Sequence, residues 1–140
     1  MDKLGDKVDK GLSDKQNIGL LGEETASLFL KKHGFVILDR NYWKVFGEID
    51  IVAKRGGIIH FFEVKTVSRG TLPKEGEDEF LPEENIHPWK IKRLTRTIQT
   101  YLLQKKISED LDWQLDAVMV YLEKGTNRVL KIEIIEDILV

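Results

Sequence analysis

The sequence contains no cysteine, only 3 prolines among 140 residues, and no apolar run long enough to cross a membrane. The lack of cysteine excludes a disulfide framework, a thiol nucleophile and every cysteine-based zinc or iron–sulfur site. The 3 histidines have no ligand spacing such as H-E-x-x-H, so we do not expect a histidine metal site. Repeats, low-complexity tracts and proline-rich or serine-rich linkers are absent as well. The sequence therefore predicts a single domain over residues 16–140, preceded by a flexible N-terminal arm over residues 1–15.

An excess of charge of one sign is also missing, since 22 Lys and Arg stand against 24 Asp and Glu, for a net charge of -2. Generic DNA-binding domains are usually clearly basic, so the overall charge argues against bulk attraction to nucleic acid. Any contact with phosphate has to come from local charge patterning. The N-terminal arm alternates Asp with Lys, which is typical of neither a secretory signal nor a membrane span. We therefore expect a cytoplasmic location and no membrane partner.

Apolar periodicity predicts seven elements in the order αβββαββ. A broad apolar stripe predicts a first helix over residues 17–33, and spacings of three and four predict a second over residues 88–104. Alternating, β-branched or aromatic runs predict five strands, over residues 35–38, 46–53, 58–66, 113–122 and 128–135. Between them, residues 67–87 are predicted as a long loop with six acids over residues 75–84, a length that favours function or mobility. The order indicates an α/β or α+β domain with a central mixed five-stranded sheet flanked by helices.

The Gly56-Gly57 pair is typical of a tight hairpin turn. If the turn has two residues, Asp50 lies directly opposite Glu63, with Cβ atoms about 4.5–5.5 Å apart. At an effective dielectric constant near 20, two carboxylates ~5 Å apart repel each other by about 3 kcal/mol. A hard cation such as Mg²⁺ or Mn²⁺ would turn that repulsion into coordination. The pair is therefore a candidate metal site.

Lys65 lies two residues beyond Glu63, so strand periodicity places its ammonium on the same face as both carboxylates. There it could orient or help deprotonate an attacking water, or stabilise charge that develops on phosphate. The alternative is an ordinary solvated sheet face on which Lys65 pairs with Glu48. Neighbouring isoleucine and phenylalanine residues favour a central sheet over a wet edge.

The second predicted helix carries four basic residues within seven positions, Lys90, Lys92, Arg93 and Arg96. They are candidates for contacts with nucleic-acid phosphate, although such a run is more often a solvated helix face. Trp89 and Tyr101 could stack on bases, although aromatic residues on an amphipathic helix more often belong to the core.

Several motifs carry a resemblance to known nucleases. Asp50, followed after twelve residues by Glu63-Val64-Lys65, resembles the Asp…Glu-x-Lys signature of the PD-(D/E)XK nuclease superfamily. Other motifs narrow the match to the small bacterial YraN family, which is similar to archaeal Holliday junction resolvases: Gly22-Glu23-Glu24, Arg40-Asn41, Phe62 to Thr66, Pro88 with Lys90 and Arg93, and Asp116. The resemblance covers residues 17–135. The chain departs from it at Gln114 and Trp43, where the family has an arginine and a basic residue.

The resemblance implies a restriction-endonuclease-like three-layer core that holds a metal-dependent site. Asp50 and Glu63 match the metal-binding carboxylates, the backbone carbonyl of Val64 matches a further ligand, and Lys65 matches the catalytic lysine. Glu23 matches a helix-one glutamate that completes the metal site or holds its water. The helical pattern alone leaves Glu23 and Glu24 both open. Lys90 matches a helix lysine beside the site.

The expected function is that of an endonuclease that uses Mg²⁺, or Mn²⁺, to hydrolyse phosphodiester bonds of DNA, including branched or structured DNA. Resolvase-like relatives act as dimers, so the resemblance also implies a homodimer. The apolar stretch over residues 132–140 could supply its interface or complete the core as a strand. The alternative function is a catalytically inactive module on the same fold that binds nucleic acid or another protein.

Overall fold

The computed structural model describes residues 13–70 and 88–139. Its helices and strands are α1 (Asp14–Lys32), β1 (Val36–Lys44), β2 (Gly47–Arg55), β3 (Ile58–Arg69), α2 (Pro88–Gln104), β4 (Asp112–Glu123) and β5 (Val129–Ile135). The five strands form one sheet in the order β1-β2-β3-β4-β5. Strands β3 and β4 are parallel and the other neighbouring pairs are antiparallel. The predicted α+β fold, with a mixed five-stranded sheet and the order αβββαββ, is confirmed.

One helix covers each face of the sheet, which gives the molecule three layers. On one face α1 packs against the sheet through residues that include Leu21, Ala26, Leu30, Ile51, Phe62 and Val118. On the other face α2 does so through residues that include Leu94, Ile98, Tyr101, Ile49, Phe61 and Leu115. Burying each large apolar side chain contributes about 1.5–3 kcal/mol. Strand β4 is buried without a break from Leu115 to Leu122, as expected of a strand that is covered on both faces.

Three element boundaries differ from the predictions by three residues or more. Helix α1 begins at Asp14, before the predicted start, because Ser13 caps it in a capping box with Gln16. Strand β1 extends to Lys44, since its polar second half forms the edge of the sheet by pairing with β2. Strand β3 reaches Arg69, inside the segment predicted as a loop, because its parallel pairing with β4 continues that far. The rest of the predicted arm, residues 1–12, and the acidic loop, residues 75–84, lie outside the described residues.

The C-terminal stretch completes the core. Strand β5 pairs with β4, and Ile138 is buried with its N–H donating to the Leu115 carbonyl at 2.8 Å. Residues 132–140 were expected either to form a dimer interface or to complete the core as a strand, and the described part completes the core. The homodimer stays a prediction. Across residues 13–70 and 88–139, neither helix is long and apolar enough to span a bilayer.

Two glycines allow the helices to approach the strands closely. A Cβ atom on Gly22 of α1 would lie only 1.8 Å from Thr66 Oγ1 on β3. A Cβ atom on Gly47, at the start of β2, would lie 2.5 Å from Thr97 Oγ1 on α2. Both contacts leave no room for a larger residue, so they fix where each helix crosses the sheet.

Candidate metal centre

The site lies where β2 and β3 part. The antiparallel ladder between them runs from Arg55–Ile58 to Ile51–Phe62, which confirms the two-residue turn. Both turn glycines have positive φ, 59° and 77°, as the favoured hairpin turns require. Beyond this ladder β2 pairs with β1 and β3 pairs with β4. We call the resulting opening, which is bounded by Asp50 and Glu63, the fork.

Asp50 bridges the two strands at the fork. The backbone N–H of Val64 donates to Asp50 Oδ2 at 2.7 Å, so a carboxylate accepts a hydrogen bond from the neighbouring strand in place of a backbone carbonyl. This bond fixes the position of the carboxylate. It also satisfies an N–H that would otherwise lack a partner in the part-buried fork.

Three carboxyl groups converge beside the fork. Glu23 from α1 and Glu48 and Asp50 from β2 each offer an oxygen, and these atoms all lie within 4.8 Å of one another. The nitrogen of the Asn41 amide, oriented according to the hydrogen-bond network, donates to Glu23 Oε2 at 3.1 Å and to Glu48 Oε1 at 3.0 Å. We call Glu23, Glu48 and Asp50 the carboxylate group.

Glu23 and Glu24, which the sequence left as alternatives, have different partners in the structure. Glu24 accepts a hydrogen bond from Arg40 Nη1 at 2.8 Å, whereas Glu23 joins the carboxylate group. Sequence reasoning did not assign Glu48 and Asn41 to the site. Glu48 precedes Asp50 by two residues, a spacing that in a regular strand puts both side chains on one face and that could have identified Glu48. In the structure β2 does not alternate regularly at this point, because Ile49 packs on the α2 side and Ile51 on the α1 side.

Glu63 and two lysines complete the site. Glu63 is 7% exposed and accepts a hydrogen bond from Lys90 Nζ at 2.7 Å, which places Lys90 of α2 inside the site. Lys65 is half-buried and interacts with Lys90, Glu63 and Asp50. Glu63 and Lys90 line a cleft of about 350 Å³, together with Gly47, Glu48, Asp50, Trp89, Arg93 and Leu94.

The crowding of acids raises their pKa values. Burial raises the pKa of Asp50 to about 8, and the charge of Glu63 adds to the effect, while the hydrogen bond from Val64 opposes it. Burial and the charge of Glu48 raise the pKa of Glu23. Burial and the charge of Glu63 likewise raise the pKa of Glu48. The protein without a cation therefore holds these carboxyls in an environment that disfavours their charged forms.

The two lysines respond in opposite directions. Burial and the charge of Lys90 lower the pKa of Lys65. Burial also acts to lower the pKa of Lys90, but its hydrogen bond to Glu63 and the charge of that carboxylate outweigh burial and raise it. Lys65 is therefore the ammonium that releases its proton more readily.

The donor set fits a hard divalent cation. Mg²⁺ binds oxygen at about 2.0–2.1 Å, which places its ligand atoms roughly 3 Å apart when adjacent and roughly 4 Å apart when opposite. The oxygens of the carboxylate group lie within 4.8 Å of one another, so small rotations of the side chains would bring them into that range. When ionised, the four carboxylates of the carboxylate group and Glu63 outnumber the three cations Lys65, Lys90 and Arg93, so the site keeps an excess of negative charge that favours a cation. The ligand roles predicted for Glu63 and the Val64 carbonyl stay predictions.

The other basic residues of α2 have different environments. Arg93 Nε donates to the Phe46 carbonyl at 2.7 Å, and the Arg96 guanidinium lies 4.0 Å from the centre of the Phe46 ring. Both arginines thus hold the β1–β2 turn against α2. Lys92 is exposed. Contact with nucleic acid stays a prediction for all four basic residues of α2, Lys90, Arg93, Lys92 and Arg96.

The aromatic residues divide between the core and the rim of the cleft. Tyr101 is 2% exposed, packs against Phe61 and donates to Asp39, so it belongs to the core. Trp89, by contrast, lines the cleft and is 56% exposed. Trp43 is 65% exposed and pairs with Glu48 across the β1–β2 ladder.

Asp116 belongs to a buried network of its own. Its carboxylate lies 2.7 Å from His60 Nδ1 and accepts from Gln114 Nε2 and from the backbone N–H of Asp137, each at 2.8 Å. None of these partners is a member of the carboxylate group. Gln114, at the position where the resembling family has arginine, is thus used inside the protein.

Comparison with known proteins identifies the family. The model of the uncharacterised protein family UPF0102 matches residues 22–120, a segment that contains the carboxylate group, Glu63 and both lysines. A UPF0102 protein of Wolinella succinogenes is 43% identical over 90 residues, which cover 64% of this chain and 74% of the relative. Relatives from Campylobacter jejuni and Helicobacter pylori are 39% and 42% identical over 102 residues, 73% of this chain and 81% and 79% of theirs. The chain belongs to UPF0102.

Proposed function

We propose that this protein is a divalent-metal-dependent endonuclease that hydrolyses phosphodiester bonds of DNA, including branched or structured DNA. The observation that carries the proposal is the convergence of Glu23, Glu48 and Asp50 within 4.8 Å beside two lysines. The Asp…Glu-x-Lys spacing of the PD-(D/E)XK superfamily and membership of UPF0102, a YraN-like family, support it. So does the excess of negative charge in the site.

The carboxylate group would hold Mg²⁺ or Mn²⁺, with Glu63 and the Val64 carbonyl as further ligands. A bound cation supplies a water ligand of lowered pKa and stabilises negative charge on the phosphate. Asn41 restrains two of the carboxylates through its amide, and the Val64 N–H restrains Asp50. These bonds preorganise the donors, so binding would need little rearrangement.

The lysines would divide the remaining work. Lys65, whose pKa is lowered by burial and by Lys90, would orient the attacking water and, once it has released its own proton to solvent, accept the proton of that water as a neutral amine. Lys90 keeps its charge through Glu63 and faces the cleft, where it would attract the phosphate. Arg93 also lines the cleft, and its guanidinium has N–H groups beyond the one that binds Phe46.

Calorimetric titration with Mn²⁺ tests the metal site. We expect the wild type to bind Mn²⁺ and Asp50→Ala to lose at least tenfold in affinity. Asp112→Ala is the matched control, because Asp112 is an exposed aspartate at the start of β4. Equal binding of Mn²⁺ by wild type and Asp50→Ala would show that the proposed site is wrong.

A cleavage panel tests the reaction. Linear, flap, bubble and four-way DNA would be incubated with Mg²⁺ or Mn²⁺, and we expect Asp50→Ala, Glu63→Ala and Lys65→Ala to abolish cleavage while remaining folded. A wild type that binds metal yet cleaves none of these substrates would favour the inactive binding module on the same fold.

A further inference from the structure

Two of the chain's 3 tryptophans are exposed, Trp89 in the lining of the cleft and Trp43 opposite the cleft residue Glu48 on the neighbouring strand. Trp43 pairs with Glu48 across an antiparallel ladder, so its side chain stands on the same face as that carboxylate, with Cβ atoms about 4.5–5.5 Å apart. Trp89 lines the cleft from the first turn of α2. Tryptophan is highly buried on average, so two exposed indoles at one site need an explanation.

The surroundings of the indoles fit a planar, anionic ligand. The Arg93 guanidinium lies 5.4 Å from the centre of the Trp89 ring, so a cation already sits beside one indole. Val45, in the turn that follows β1, is a further exposed apolar residue, at 82%. A nucleotide combines a flat aromatic base with a phosphate. The rim offers indole faces for the base and, next to them, the cleft with Lys90 and Arg93 for the phosphate.

We infer that Trp43 and Trp89 stack on unpaired nucleobases of the DNA substrate, so that the site selects phosphodiester bonds beside unpaired bases over those in continuous duplex. The inference rests on the proposed function and names its substrate class. Inside a duplex both faces of a base are covered by its neighbours, and an indole can stack only on a base that has left the helix. Stacking depends little on base identity, so these residues read the absence of pairing and not a sequence.

Cleavage of matched substrates gives the first test. One DNA carries a six-nucleotide unpaired bubble, and the other is a continuous duplex of otherwise identical sequence. We expect the wild type to prefer the bubble at least tenfold, and Trp43→Ala and Trp89→Ala each to lower cleavage of the bubble by between about 5-fold and about 150-fold. Trp43→Phe and Trp89→Phe should retain most of the preference, because a phenyl ring can also stack.

The matched control is Leu103→Ala. Leu103 is 80% exposed near the other end of α2, outside the cleft, and its loss should leave the preference unchanged. Mn²⁺ affinity, measured by calorimetry, should be the same in wild type and in both alanine variants. This measurement separates the two proposals: failure to bind Mn²⁺ counts against the proposed function, whereas a bubble preference unaffected by the substitutions overturns only the inference.

Intrinsic fluorescence gives a second test that needs no cleavage. Single-stranded oligothymidine should quench the emission of the wild type, and the double variant Trp43→Phe/Trp89→Phe, which keeps only Trp113, should not respond. Trp113 packs on the core and serves as the internal reference. Equal quenching of both proteins would overturn the inference. Sedimentation gives a second such outcome: if the wild type is a dimer and the alanine variants are monomers, the indoles bind a second copy of the chain and not a nucleobase.

Discussion

Replacing Gly22 by alanine tests whether the close approach of α1 to β3 positions the carboxylate group. The added Cβ would lie 1.8 Å from Thr66 Oγ1 and 2.9 Å from both Thr66 Cβ and Cγ2. Rotation of the threonine side chain cannot relieve all three contacts, because its Cβ does not move. The helix must therefore shift away from the strand.

The expected cost follows from two opposing effects. Overpacking of this kind costs about 1–3 kcal/mol, and the better helix propensity of alanine returns up to about 1 kcal/mol. If the full propensity gain is realised, the free energy of unfolding, measured with urea, falls by about 0–2 kcal/mol, whereas an unstrained glycine-to-alanine change would raise it. Glu23 follows Gly22 directly, so a shift on the order of 1 Å would also displace its carboxylate and lower the Mn²⁺ affinity about tenfold.

Gly19→Ala is the matched control for this substitution. Gly19 lies in the same helix, and a Cβ there would meet no atom within 4 Å. Alanine at this position should stabilise the protein by up to about 1 kcal/mol and leave Mn²⁺ affinity unchanged. If Gly22→Ala were as stable as Gly19→Ala and bound Mn²⁺ as tightly as the wild type, the positioning role of the contact would be refuted.

Three further predictions follow from the charges of the site and of the buried network. In the metal-free protein, the free energy of unfolding should fall as pH rises from about 4 to about 8, because Asp50 keeps its proton up to about pH 8 when folded but loses it near pH 3.8 when unfolded. Urea titrations at several pH values measure this slope; Asp50→Asn should flatten it, and an identical slope in that variant would contradict the raised pKa. Glu48→Gln should raise the melting temperature of the metal-free protein and weaken Mn²⁺ binding at least fivefold, and unchanged calorimetry would remove Glu48 from the ligand set. Asp116→Ala should lower the free energy of unfolding, measured with urea, by about 3–5 kcal/mol, because it leaves His60 and two other donors without their acceptor. The folded variant should keep its Mn²⁺ affinity. Selective loss of that affinity would show that the buried network supports the site.

The register of the central hairpin was predictable because its turn is encoded locally. Two adjacent glycines fix a two-residue turn, and turn length fixes which residues face each other along both strands. The end of the ladder at Ile51–Phe62 was not predictable in the same way. The end of the ladder depends on β4, which pairs with β3 although it lies more than forty residues away in the sequence. Alternation within a strand does not predict which strands it pairs with.

The acids of the site were likewise predictable only in part. The spacing of Asp50, Glu63 and Lys65 was visible in the sequence, whereas the choice between Glu23 and Glu24 depends on how α1 is rotated about its axis. That rotation is set by the contact of Gly22 with Thr66, and by Arg40 on β1, which takes Glu24. Both are contacts between elements that are distant along the chain, so helical periodicity alone could not supply them.

The two-residue turn at Gly56-Gly57 restricts how this chain can change in length. Surface turns ordinarily tolerate insertions, because they contact little. Here one added or deleted residue would slip β2 against β3 by one position and turn every side chain of the slipped strand to the opposite face, Asp50 or Glu63 among them. The fork would lose its paired carboxylates although none of its own residues had changed. A turn that lies away from the site thus controls, through its length alone, which side chains reach the site.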